Sequence, residues 1–378
     1  MNTEETVNPK PAFASHNIPI VLSCSEYYSL YAAVFLRTLA EHSSAEWCYD
    51  ILILTKDIQS DSVDMLTNAI GDRENISLRF LDVNPYIQQY SLKVHSHFGI
   101  ESYFRLLYPF ILRNYQKVLY FDCDMVLKSD VADLWQEDIG DAFLGACIDA
   151  VVVGAVNNPE DKTFDSFGWN EYCRDKLRME NPYRYFNSGV MIFNLARFRR
   201  EYSNEAVLRD AQENQYYLLD QDALNALAAS DTIALDMAWN MTTDVGGRKM
   251  PYIKMATKSI QTAYSQARKV PHTVHFADST KPWKNPNEDL GYEFWQVARQ
   301  MPIYTQTVAR MTSEQMSQIT TVPIDNSPDC RPMGLLDEWK WRIKRWSAVV
   351  LPYGSKRRKI VKKWYFKLRG RSYTEEVA

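Results

Sequence analysis

Apolar and polar positions alternate along the first third of the chain with two different periods. Short runs rich in β-branched and aromatic residues predict buried strands, and apolar residues at helical spacing predict amphipathic helices. The predicted strands are 18–23, 49–55, 76–83 and 117–121. The predicted helices are 28–42, 62–70 and 101–114. This alternation predicts an α/β fold with a mostly parallel sheet, in which ligands bind beyond the carboxyl ends of the strands.

The alternation is less regular in the second part of the chain. An apolar run ends at Asp149, and we expect residues 151–183 to form a polar, loop-like stretch. A strand is predicted over 185–194, entered through a bend of small residues, and a short strand over 273–276. Asp220 opens a helical segment, either as its N-cap or as part of an acidic first turn that the helix dipole favours.

The composition is that of a globular protein. The chain has 378 residues, of which 46% are apolar and 13% aromatic, so we expect a folded core. We divide the chain into a polar N-terminal tail (1–16), a main domain (17–325) and a C-terminal region (326–378). No apolar run approaches the roughly 20 residues of a membrane-spanning helix, and residues 1–16 lack the pattern of a signal peptide. The six cysteines are scattered, which predicts free thiols in a reducing, cytoplasmic compartment.

The net charge of −4 conceals an asymmetry along the chain. Residues 339–371 carry 13 Lys and Arg and no acidic residue, so the other 345 residues hold 30 basic against 47 acidic side chains. Trp, Tyr and Phe are interleaved with these cations. We favour amphipathic helices that bind peripherally to an anionic membrane at its cytoplasmic face, and expect no nucleic-acid partner. The alternatives are a basic helix packed on the acidic body and nucleic-acid binding.

Asp122 and Asp124 follow the apolar strand that ends at Phe121. A buried carboxylate without a cationic partner is costly, and two carboxylates separated by one residue suit a hard divalent cation. Such a metal commonly binds the phosphates of a substrate, which suggests a nucleotide-linked substrate. The triplet by itself is a weak signal, and the alternative is an ordinary polar end of a strand.

His275 and Lys281 are further candidates for a phosphate site. His275 lies between Val274 and Phe276, so it is either a hydrogen-bonded core residue or the nitrogen ligand that completes a transition-metal site. Lys281 supplies a cation that suits a phosphate. The sequence contains neither a GxGxxG loop nor a P-loop, so a bound nucleotide would need a metal and side chains for its phosphates.

Taken together, several segments resemble the family 8 retaining glycosyltransferases, which include bacterial lipooligosaccharide galactosyltransferases and glycogenin. The segments are SYFRL (102–106), VLYFDCD (118–124), YFNSGV (185–190), LDQDALN (219–225) and HFADSTKPW (275–283). Each segment alone is weak evidence, but all of them occur in the family's order with comparable spacing. The resemblance covers roughly residues 17–300.

The resemblance implies a GT-A fold, in which a Rossmann-like nucleotide-binding half is fused to an acceptor half. It implies a UDP-hexose donor and Mn²⁺, with Mg²⁺ as the alternative, bound by Asp122, Asp124 and His275. The remaining positions that we expect to contact donor or acceptor are Tyr28, His97, Arg105, Cys123, Asp149, Asn187, Asp220, Gln221, Asp278 and Lys281. Within this set the resemblance implies that Lys281 and His97 lie at the diphosphate and that Asp149 lies near the sugar and the acceptor.

Two positions depart from the family's pattern. The first βα turn has Ser25, Glu26 and Tyr28 where the family often has an Asp or Asn that contacts the nucleoside, and we expect Tyr28 to stack on the base. Asp278 stands where the family usually has Gly, which lets the backbone approach a phosphate closely. The charge of Asp278 is unfavourable near a diphosphate unless the side chain points away or contacts Lys281.

We predict a metal-dependent retaining hexosyltransferase of bacterial lipopolysaccharide, capsule or exopolysaccharide synthesis, which moves galactose or glucose to a saccharide or lipid-linked saccharide. The predicted catalytic residues are Gln221, Asp220 and Asp149. Because an amide oxygen is a poor nucleophile, we expect front-face substitution and not the two-step reaction of retaining glycosidases. The main alternative is a non-catalytic nucleotide-sugar-binding or scaffold protein at the membrane. A metal-dependent phosphohydrolase would need a positioned water and more ligands than the sequence offers.

Overall fold

The computed structural model describes residues 8–88, 90–92, 94 and 99–320. For residues 316–320 it describes only the backbone. Residues up to Met316 belong to one compact unit. Its strands are β1 (Asn17–Ser23), β2 (Cys48–Thr55), β3 (Ile76–Asp82), β4 (Lys117–Phe121), β5 (Met125–Leu127), β6 (Leu144–Ile148), β7 (Phe186–Asn194), β8 (Thr232–Ala234), β9 (Met241–Thr242) and β10 (Thr273–His275).

A central sheet of the described chain has seven strands in the order β3-β2-β1-β4-β7-β6-β8. Strands β1 to β4 run parallel to one another, and β8 runs parallel to β6. Strand β7 is antiparallel to both of its neighbours, β4 and β6. The predicted mostly parallel sheet is confirmed. The near-continuous apolar runs of β1 and β2 arise because both faces of these strands are buried.

The described residues also form helices between and after these strands. They are α1 (Glu26–His42), α2 (Ser60–Ile70), α3 (Asn84–Ile87), α4 (Tyr108–Ile111), α5 (Val131–Trp135), α6 (Ala150–Val156), α7 (Trp169–Glu171), α8 (Leu195–Glu201), α9 (Asn204–Asn214), α10 (Leu219–Ala228), α11 (Met250–Ile253), α12 (Lys258–Lys269), α13 (Gly291–Ala298) and α14 (Ile303–Thr320). The side chain of Ser25 caps α1 by accepting a hydrogen bond from the backbone N–H of Tyr28 at 3.3 Å. The first βα turn is therefore short, because α1 begins directly after Ser25.

Two predicted segments differ from the structure. The predicted helix over 101–114 is a 3₁₀ helix (Ile100–Leu106) followed by the short helix α4. Pro109 in the first turn of α4 lacks the N–H that a continuous helix needs at this position. The expected loop over 151–183 contains α6, α7 and a π-helical turn (Tyr172–Lys176). Asp149 caps α6, and aromatic side chains pack the later turns, so the apparent polarity of this stretch was misleading.

A smaller sheet in the order β5-β10-β9 carries one of the candidate ligands. Strand β10 is antiparallel to β5 and parallel to β9. Only the short segment between Phe121 and Met125 separates the end of the central strand β4 from the start of β5. The two sheets are thus linked by the segment that contains Asp122 and Asp124, and β10 brings His275 back to it.

The remaining predictions concern cysteines and the two ends of the chain. The described cysteines, Cys24, Cys48, Cys123, Cys147 and Cys173, are free. No helix among the described residues is long and apolar enough to span a membrane. The predicted C-terminal region, including residues 339–371, lies outside the described residues.

Candidate active site

A cavity of about 990 Å³ lies at the carboxyl ends of β1 and β4, where the fold predicts a ligand site. The predicted site residues that line this cavity are Tyr28, Arg105, Asp122, Cys123, Asp124, Asp149, Asn187, Asp220, Gln221, His275, Asp278 and Lys281. His97 lies outside the described residues. Residues that are far apart along the chain and were singled out from the sequence thus lie together in the fold.

Asp122, Asp124 and His275 form a cluster with the geometry of a metal site. Because β10 pairs with β5, His275 lies opposite Met125 and next to Asp124. His275 Nε2 is 3.4 Å from Asp124 Oδ1 and 3.6 Å from Asp122 Oδ2. Ligand atoms about 2.1 Å from one ion and at right angles to each other lie about 3 Å apart. The separations are thus close to those of a bound divalent cation.

The orientation of His275 also fits a metal ligand. Its Nδ1 lies 2.7 Å from Oδ1 of Asn240, an oxygen that can only accept, so the ring proton is on Nδ1. The Nε2 lone pair then points to the two carboxylates. The amide of Asn240 is held in turn by donating to Asn187 Oδ1 at 2.8 Å. Such hydrogen bonds to the distal nitrogen orient metal-binding histidines, and the donor set of two carboxylates and one imidazole suits Mn²⁺.

Asn240 was missed by the sequence analysis. It ends a 3₁₀ helix (Met237–Asn240) and lies 35 residues before His275. No spacing rule links two residues so far apart, and only the parallel pairing of β9 with β10 brings them together.

Gly189 leaves the space that the imidazole occupies. A Cβ atom at this position would lie 2.4 Å from Cε1 and 2.8 Å from Nδ1 of His275. Gly189 also accepts, through its carbonyl oxygen, a hydrogen bond of 2.8 Å from the backbone N–H of Asp122. The small residue in the predicted bend therefore allows β7 to pass directly beneath the metal cluster.

Lys281 pairs with the more deeply buried of the two acids. Its ammonium group contacts Asp124 Oδ2 and donates to the carbonyl oxygen of Phe276 at 2.7 Å. Burial alone would raise the pKa of Asp124, but Lys281 and His275 hold it well below its usual range. Asp124 is consequently ionised at neutral pH, as a metal ligand must be.

Arg105 connects the metal cluster to α10. Its guanidinium lies 2.9 Å from Asp122 Oδ1 and 2.9 Å from Asp220 Oδ2, and it donates to the carbonyl oxygen of Ser188 at 2.7 Å. Burial raises the pKa of Asp220 to about 7, and the charge of Asp122 acts in the same direction. Arg105 opposes this shift only in part, because its single charge is shared between two carboxylates. Arg105 therefore fixes the relative positions of the two acids.

Helix α10 presents Asp220 from its second residue and not from its N-cap. The helix begins at Leu219, whose φ of 47° is in the left-handed region, and Leu218 occupies the N-cap position without a side-chain cap. Of the two roles expected for Asp220, the N-cap is therefore wrong and the acidic first turn is confirmed. Its side chain is instead turned toward Arg105 because the preceding backbone is sharply bent.

Asp222 holds the start of α10 in place through hydrogen bonds. Its carboxylate accepts hydrogen bonds from Tyr172 at 2.8 Å, from the backbone N–H of Leu218 at 2.7 Å and from Tyr185. Burial raises the pKa of Asp222 to about 6, although these donors oppose the shift. Asp222 lies within the LDQDALN segment, but no local pattern in that segment indicates this supporting role.

Asp149, Asn187 and Gln221 form a hydrogen-bonded group in the lining of the cavity, the polar wall. Asn187 and Gln221 donate to Asp149 Oδ2, at 3.1 Å and 3.4 Å. The other oxygen of Asp149 accepts from the backbone N–H groups of Val151 and Val152 in α6, each at 3.0 Å. Gln221 Oε1 accepts from the backbone N–H of Ser188 at 3.0 Å. The wall is thus held by backbone groups of α6 and β7, which fixes its side chains before any ligand binds.

Tyr28 and Cys123 also line the cavity. The Tyr28 ring packs edge-on against Trp283, with ring centroids 6.3 Å apart. Cys123 donates to the carbonyl oxygen of Ser23 across a gap of 3.6 Å. The neighbouring thiol of Cys24, together with burial, raises the pKa of Cys123. Cys123 therefore stays a neutral thiol at physiological pH.

Asp278, the departure from the family's Gly, does not bond to Lys281. Its backbone has a φ of 91°, a conformation that glycine adopts more readily than aspartate. The carboxylate accepts from the N–H of Ser279 and lies 3.9 Å from Arg248. Burial would raise the pKa of Asp278, but Ser279 and the nearby Lys249 outweigh it and lower that pKa. Lys249 was missed by the sequence analysis, because it lies in no recognised segment.

A family model described as "Glycosyl transferase family 8" matches residues 19–286. Among curated proteins, the chain is similar to General stress protein A of Bacillus subtilis, with 27% identity over 234 residues, which are 58% of this chain and 72% of that protein. It is also similar to Glycosyltransferase GlyF of Streptococcus pneumoniae, with 22% identity over 284 residues, which are 75% of this chain and 61% of GlyF.

Two solved structures have the same fold. The apo form of the bifunctional glycosyltransferase WbbM matches with a TM-score of 0.72 and 27% identity, over 81% of this chain and 53% of WbbM. The galactosyltransferase LgtC, in complex with donor and acceptor sugar analogs, matches with a TM-score of 0.56 and 20% identity, over 75% of this chain and 96% of LgtC. The chain thus spans about half the length of WbbM. These matches confirm the predicted GT-A fold.

Proposed function

The chain belongs to glycosyl transferase family 8, and from this premise we propose that it transfers a hexose, with retention, from a UDP-sugar to a saccharide in a divalent-metal-dependent reaction. The principal support is the cluster of Asp122, Asp124 and His275, whose ligand atoms lie within 4.8 Å of one another at the end of β4. Mn²⁺ is the metal that this oxygen and nitrogen donor set favours among those expected, with Mg²⁺ as the alternative.

The leaving group of such a transfer is a nucleoside diphosphate, which gains negative charge as the anomeric C–O bond breaks. Asp122, Asp124 and His275 would hold a divalent ion at that position, where it would supply positive charge. Lys281 adds an ammonium group that is already held in place by Asp124 and the carbonyl oxygen of Phe276. Preorganised charges of this kind stabilise a transition state without reorganisation at the moment of reaction.

The polar wall favours front-face substitution over a covalent intermediate. Gln221 Oε1 already accepts from Ser188, and Asp220 is paired with Arg105. Asp149 is occupied by the N–H groups of α6 and by two side-chain amides. None of these three groups is a free nucleophile. In the proposed step, the acceptor oxygen bonds to the anomeric carbon on the face that the diphosphate leaves, and a diphosphate oxygen takes the acceptor proton.

In this proposal, the wall binds hydroxyl groups and orients them. Asp149 and Asn187 lie beside each other and suit hydroxyls of the donor sugar and of the acceptor. Asp220 and Gln221 hold the sugar ring against the leaving group. The cavity of about 990 Å³ is large enough for a nucleotide sugar and an acceptor together, since single drug-sized ligands occupy sites of roughly 300–1,000 Å³.

The acceptor class and location are proposed from the relatives and from the charge distribution. LgtC binds donor and acceptor sugar analogs in its solved complex, which supports a saccharide acceptor here. The basic, aromatic segment 339–371 supports peripheral binding to an anionic membrane at its cytoplasmic face. A lipid-linked saccharide of a bacterial lipopolysaccharide, capsule or exopolysaccharide combines both features.

The experiment is a transfer assay with UDP-galactose and UDP-glucose, a panel of oligosaccharide acceptors, and either Mn²⁺, Mg²⁺ or EDTA. We expect product only with metal, and an α-linked product from the α-linked donors, as read by NMR. A β-linked product would exclude retention. A glycosyl adduct on any side chain, detected by mass spectrometry, would exclude front-face substitution.

The non-catalytic alternative makes the opposite prediction in the same assay. A nucleotide-sugar-binding scaffold would bind UDP-sugars but give neither transfer nor slow hydrolysis with any metal. Absence of both activities, with UDP-sugar binding intact, would favour the scaffold.

A further inference from the structure

Lys249 is a buried cation in the cavity that the proposed mechanism leaves without a role. Only 9% of its surface is exposed, and it lines the cavity with the metal cluster and Lys281. Its Nζ donates to the carbonyl oxygen of Ala277 at 3.1 Å. Asp244 accepts a hydrogen bond from the backbone N–H of Lys249 at 2.9 Å. Lys249 is therefore held both at its backbone and at its Nζ.

Lys249 and Lys281 bind consecutive carbonyl groups of one segment. Lys281 donates to Phe276 at 2.7 Å, and Lys249 to Ala277 at 3.1 Å. Burial lowers the pKa of Lys249 and the positive charge of Lys281 adds to this effect, whereas Asp278 and Asp149 oppose it. Lys281 contacts the carboxylate of Asp124, whereas Lys249 forms no salt bridge with any carboxylate of the described residues. A buried ammonium group without a paired anion is costly, so this arrangement favours a ligand that brings negative charge to Lys249.

A count of formal charges shows why one lysine is insufficient in this chain. The carboxylates of Asp122 and Asp124 cancel the charge of a divalent ion. Arg105 is paired with Asp220, and the charges of Lys281 and Arg248 are balanced by those of Asp149 and Asp278, which stands where the family usually has an uncharged Gly. Without Lys249, a diphosphate would meet no net positive charge from these groups. Lys249 supplies this net positive charge. It also lies close enough to Asp278 to lower the pKa of that acid.

We propose that Lys249 binds the diphosphate of the donor nucleotide beside Lys281 and compensates the negative charge that Asp278 brings to this site. This inference rests on the proposed function, because it takes a nucleoside diphosphate as the ligand. In this proposal Lys249 is a second phosphate-binding lysine, and its charge offsets that of Asp278 at the position where the family usually has Gly.

The test is calorimetric titration of UDP and of uridine, with saturating Mn²⁺, into the full-length wild type, Lys249→Met and the exposed-lysine control Lys269→Met. Removing a charged hydrogen bond to phosphate lowers affinity by about tenfold or more, so Lys249→Met should bind UDP at least tenfold more weakly. The control should match the wild type. Uridine lacks the diphosphate and should bind Lys249→Met and wild type equally. Mn²⁺ affinity in the absence of nucleotide, read by electron paramagnetic resonance, should also be unchanged.

A second variant tests the compensation. Asp278→Gly removes the opposing charge while Lys249 is still present, so it should bind UDP about as tightly as the wild type. In the double variant Lys249→Met/Asp278→Gly, we expect the loss caused by Lys249→Met to be largely recovered. Independent, additive effects of the two substitutions would overturn the compensation.

The outcomes distinguish a failure of the role of Lys249 from a failure of the proposed function. Equal UDP affinity of Lys249→Met and wild type would overturn the role of Lys249 while leaving the proposed function intact. If that variant also showed a raised KM for an acidic acceptor, Lys249 would belong to the acceptor site. If wild type failed to bind UDP with any metal, the proposed function would fail, and the inference with it.

Discussion

Single residues around His275 determine whether the cluster can bind a metal. His275 faces two carboxylates through Nε2 because Asn240 Oδ1 accepts a hydrogen bond from Nδ1–H. Asn240 is held in turn by Asn187, which also bonds Asp149. The metal cluster and the polar wall therefore belong to one hydrogen-bonding network. A substitution at Asn240 should alter the side-chain positions in both.

Asn240→Ala should weaken metal binding without unfolding the protein. Loss of the partner of a metal-binding histidine typically costs about 10- to 100-fold in metal affinity. We expect a decrease in this range for Mn²⁺, measured by electron paramagnetic resonance in the absence of nucleotide. The exposed Asn287→Ala is the control and should match the wild type. Unchanged Mn²⁺ affinity of Asn240→Ala would contradict the positioning role.

Gly189→Ala should displace His275. The new Cβ would lie 2.4 Å from Cε1 of the ring, so either the imidazole or β7 must shift. We expect loss of measurable Mn²⁺ binding in the same titration. Gly140→Ala is the contrasting variant, because its Cβ would meet nothing within 4 Å but its φ of 55° is unfavourable for alanine. It should lower the melting temperature and leave Mn²⁺ affinity unchanged.

At the residue scale, the sequence was sufficient to identify the metal-binding candidates within recognised segments. It was insufficient to identify the residues that orient them or lie beside them. Asp122, Asp124 and His275 carry chemistry that few other positions of the chain could supply. Asn240 and Lys249 are an ordinary amide and an ordinary lysine in sequence, and only their burial beside the cluster distinguishes them. Burial of a polar residue depends on long-range strand pairing, which a local pattern does not reveal.

Helix α10 and strand β7 carry Gln221 and Asn187 of the polar wall. Asn225 of α10 bonds both the N–H and the carbonyl oxygen of Phe186 at 2.9 Å, which ties the helix to the start of β7. Asp222 ties the same helix to Tyr172 and Tyr185. These contacts fix the bend before α10, and the bend directs Asp220 toward Arg105.

Asp222 should make the stability of the protein depend on pH. Its pKa in the folded protein is raised to about 6, whereas an unfolded aspartate titrates near 3.9. The folded state thus binds the proton more tightly, so the free energy of unfolding decreases as pH rises from about 4 to about 6. A shift of this size corresponds to about 3 kcal/mol at most, and Asp222→Asn should remove it.

The measurement is urea unfolding of wild type and Asp222→Asn at pH values from 4 to 7. The difference in stability between the two should change over this range in favour of the variant at higher pH. A difference that is independent of pH would show that Asp222 does not titrate in the folded protein.

At the element scale, the alternating pattern predicted the parallel strands well, and it failed where proline or aromatic packing decided the structure. The helix predicted over 101–114 has good helical periodicity, but Pro109 starts a new helix within it. The stretch 151–183 looks polar in sequence, yet Phe164, Trp169 and Tyr172 pack into an aromatic cluster. Such packing joins residues through tertiary contacts and leaves no periodic signal.

In the described part of the chain, two sheets meet at the cavity that holds the metal cluster. The central sheet delivers Asp122 and Asp124 at the end of β4, and the smaller sheet returns His275 to the same point. The family resemblance was needed to foresee this junction, because the pairing of β5 with β10 joins residues from distant parts of the chain.

The charge asymmetry of the whole chain makes a prediction about location. Deletion of residues 335–378 removes the basic, aromatic segment and should release the protein from anionic vesicles, while hydrolysis of the donor persists. The measurement is co-sedimentation with vesicles that contain anionic lipid, with neutral vesicles as the control. Binding of the truncated protein equal to that of the full chain would show that this segment is not the membrane contact.

The most direct test of the central claim is calorimetric titration of UDP, with and without Mn²⁺, into wild type and the Asp124→Ala/His275→Ala variant. The variant lacks two of the three metal-binding side chains but keeps the nucleotide side of the cavity. We predict that wild type binds UDP tightly only with Mn²⁺ and that the variant loses this dependence. Binding of UDP that is equally tight in both proteins, or indifferent to metal in the wild type, would contradict a metal-dependent nucleotide-sugar site at Asp122, Asp124 and His275.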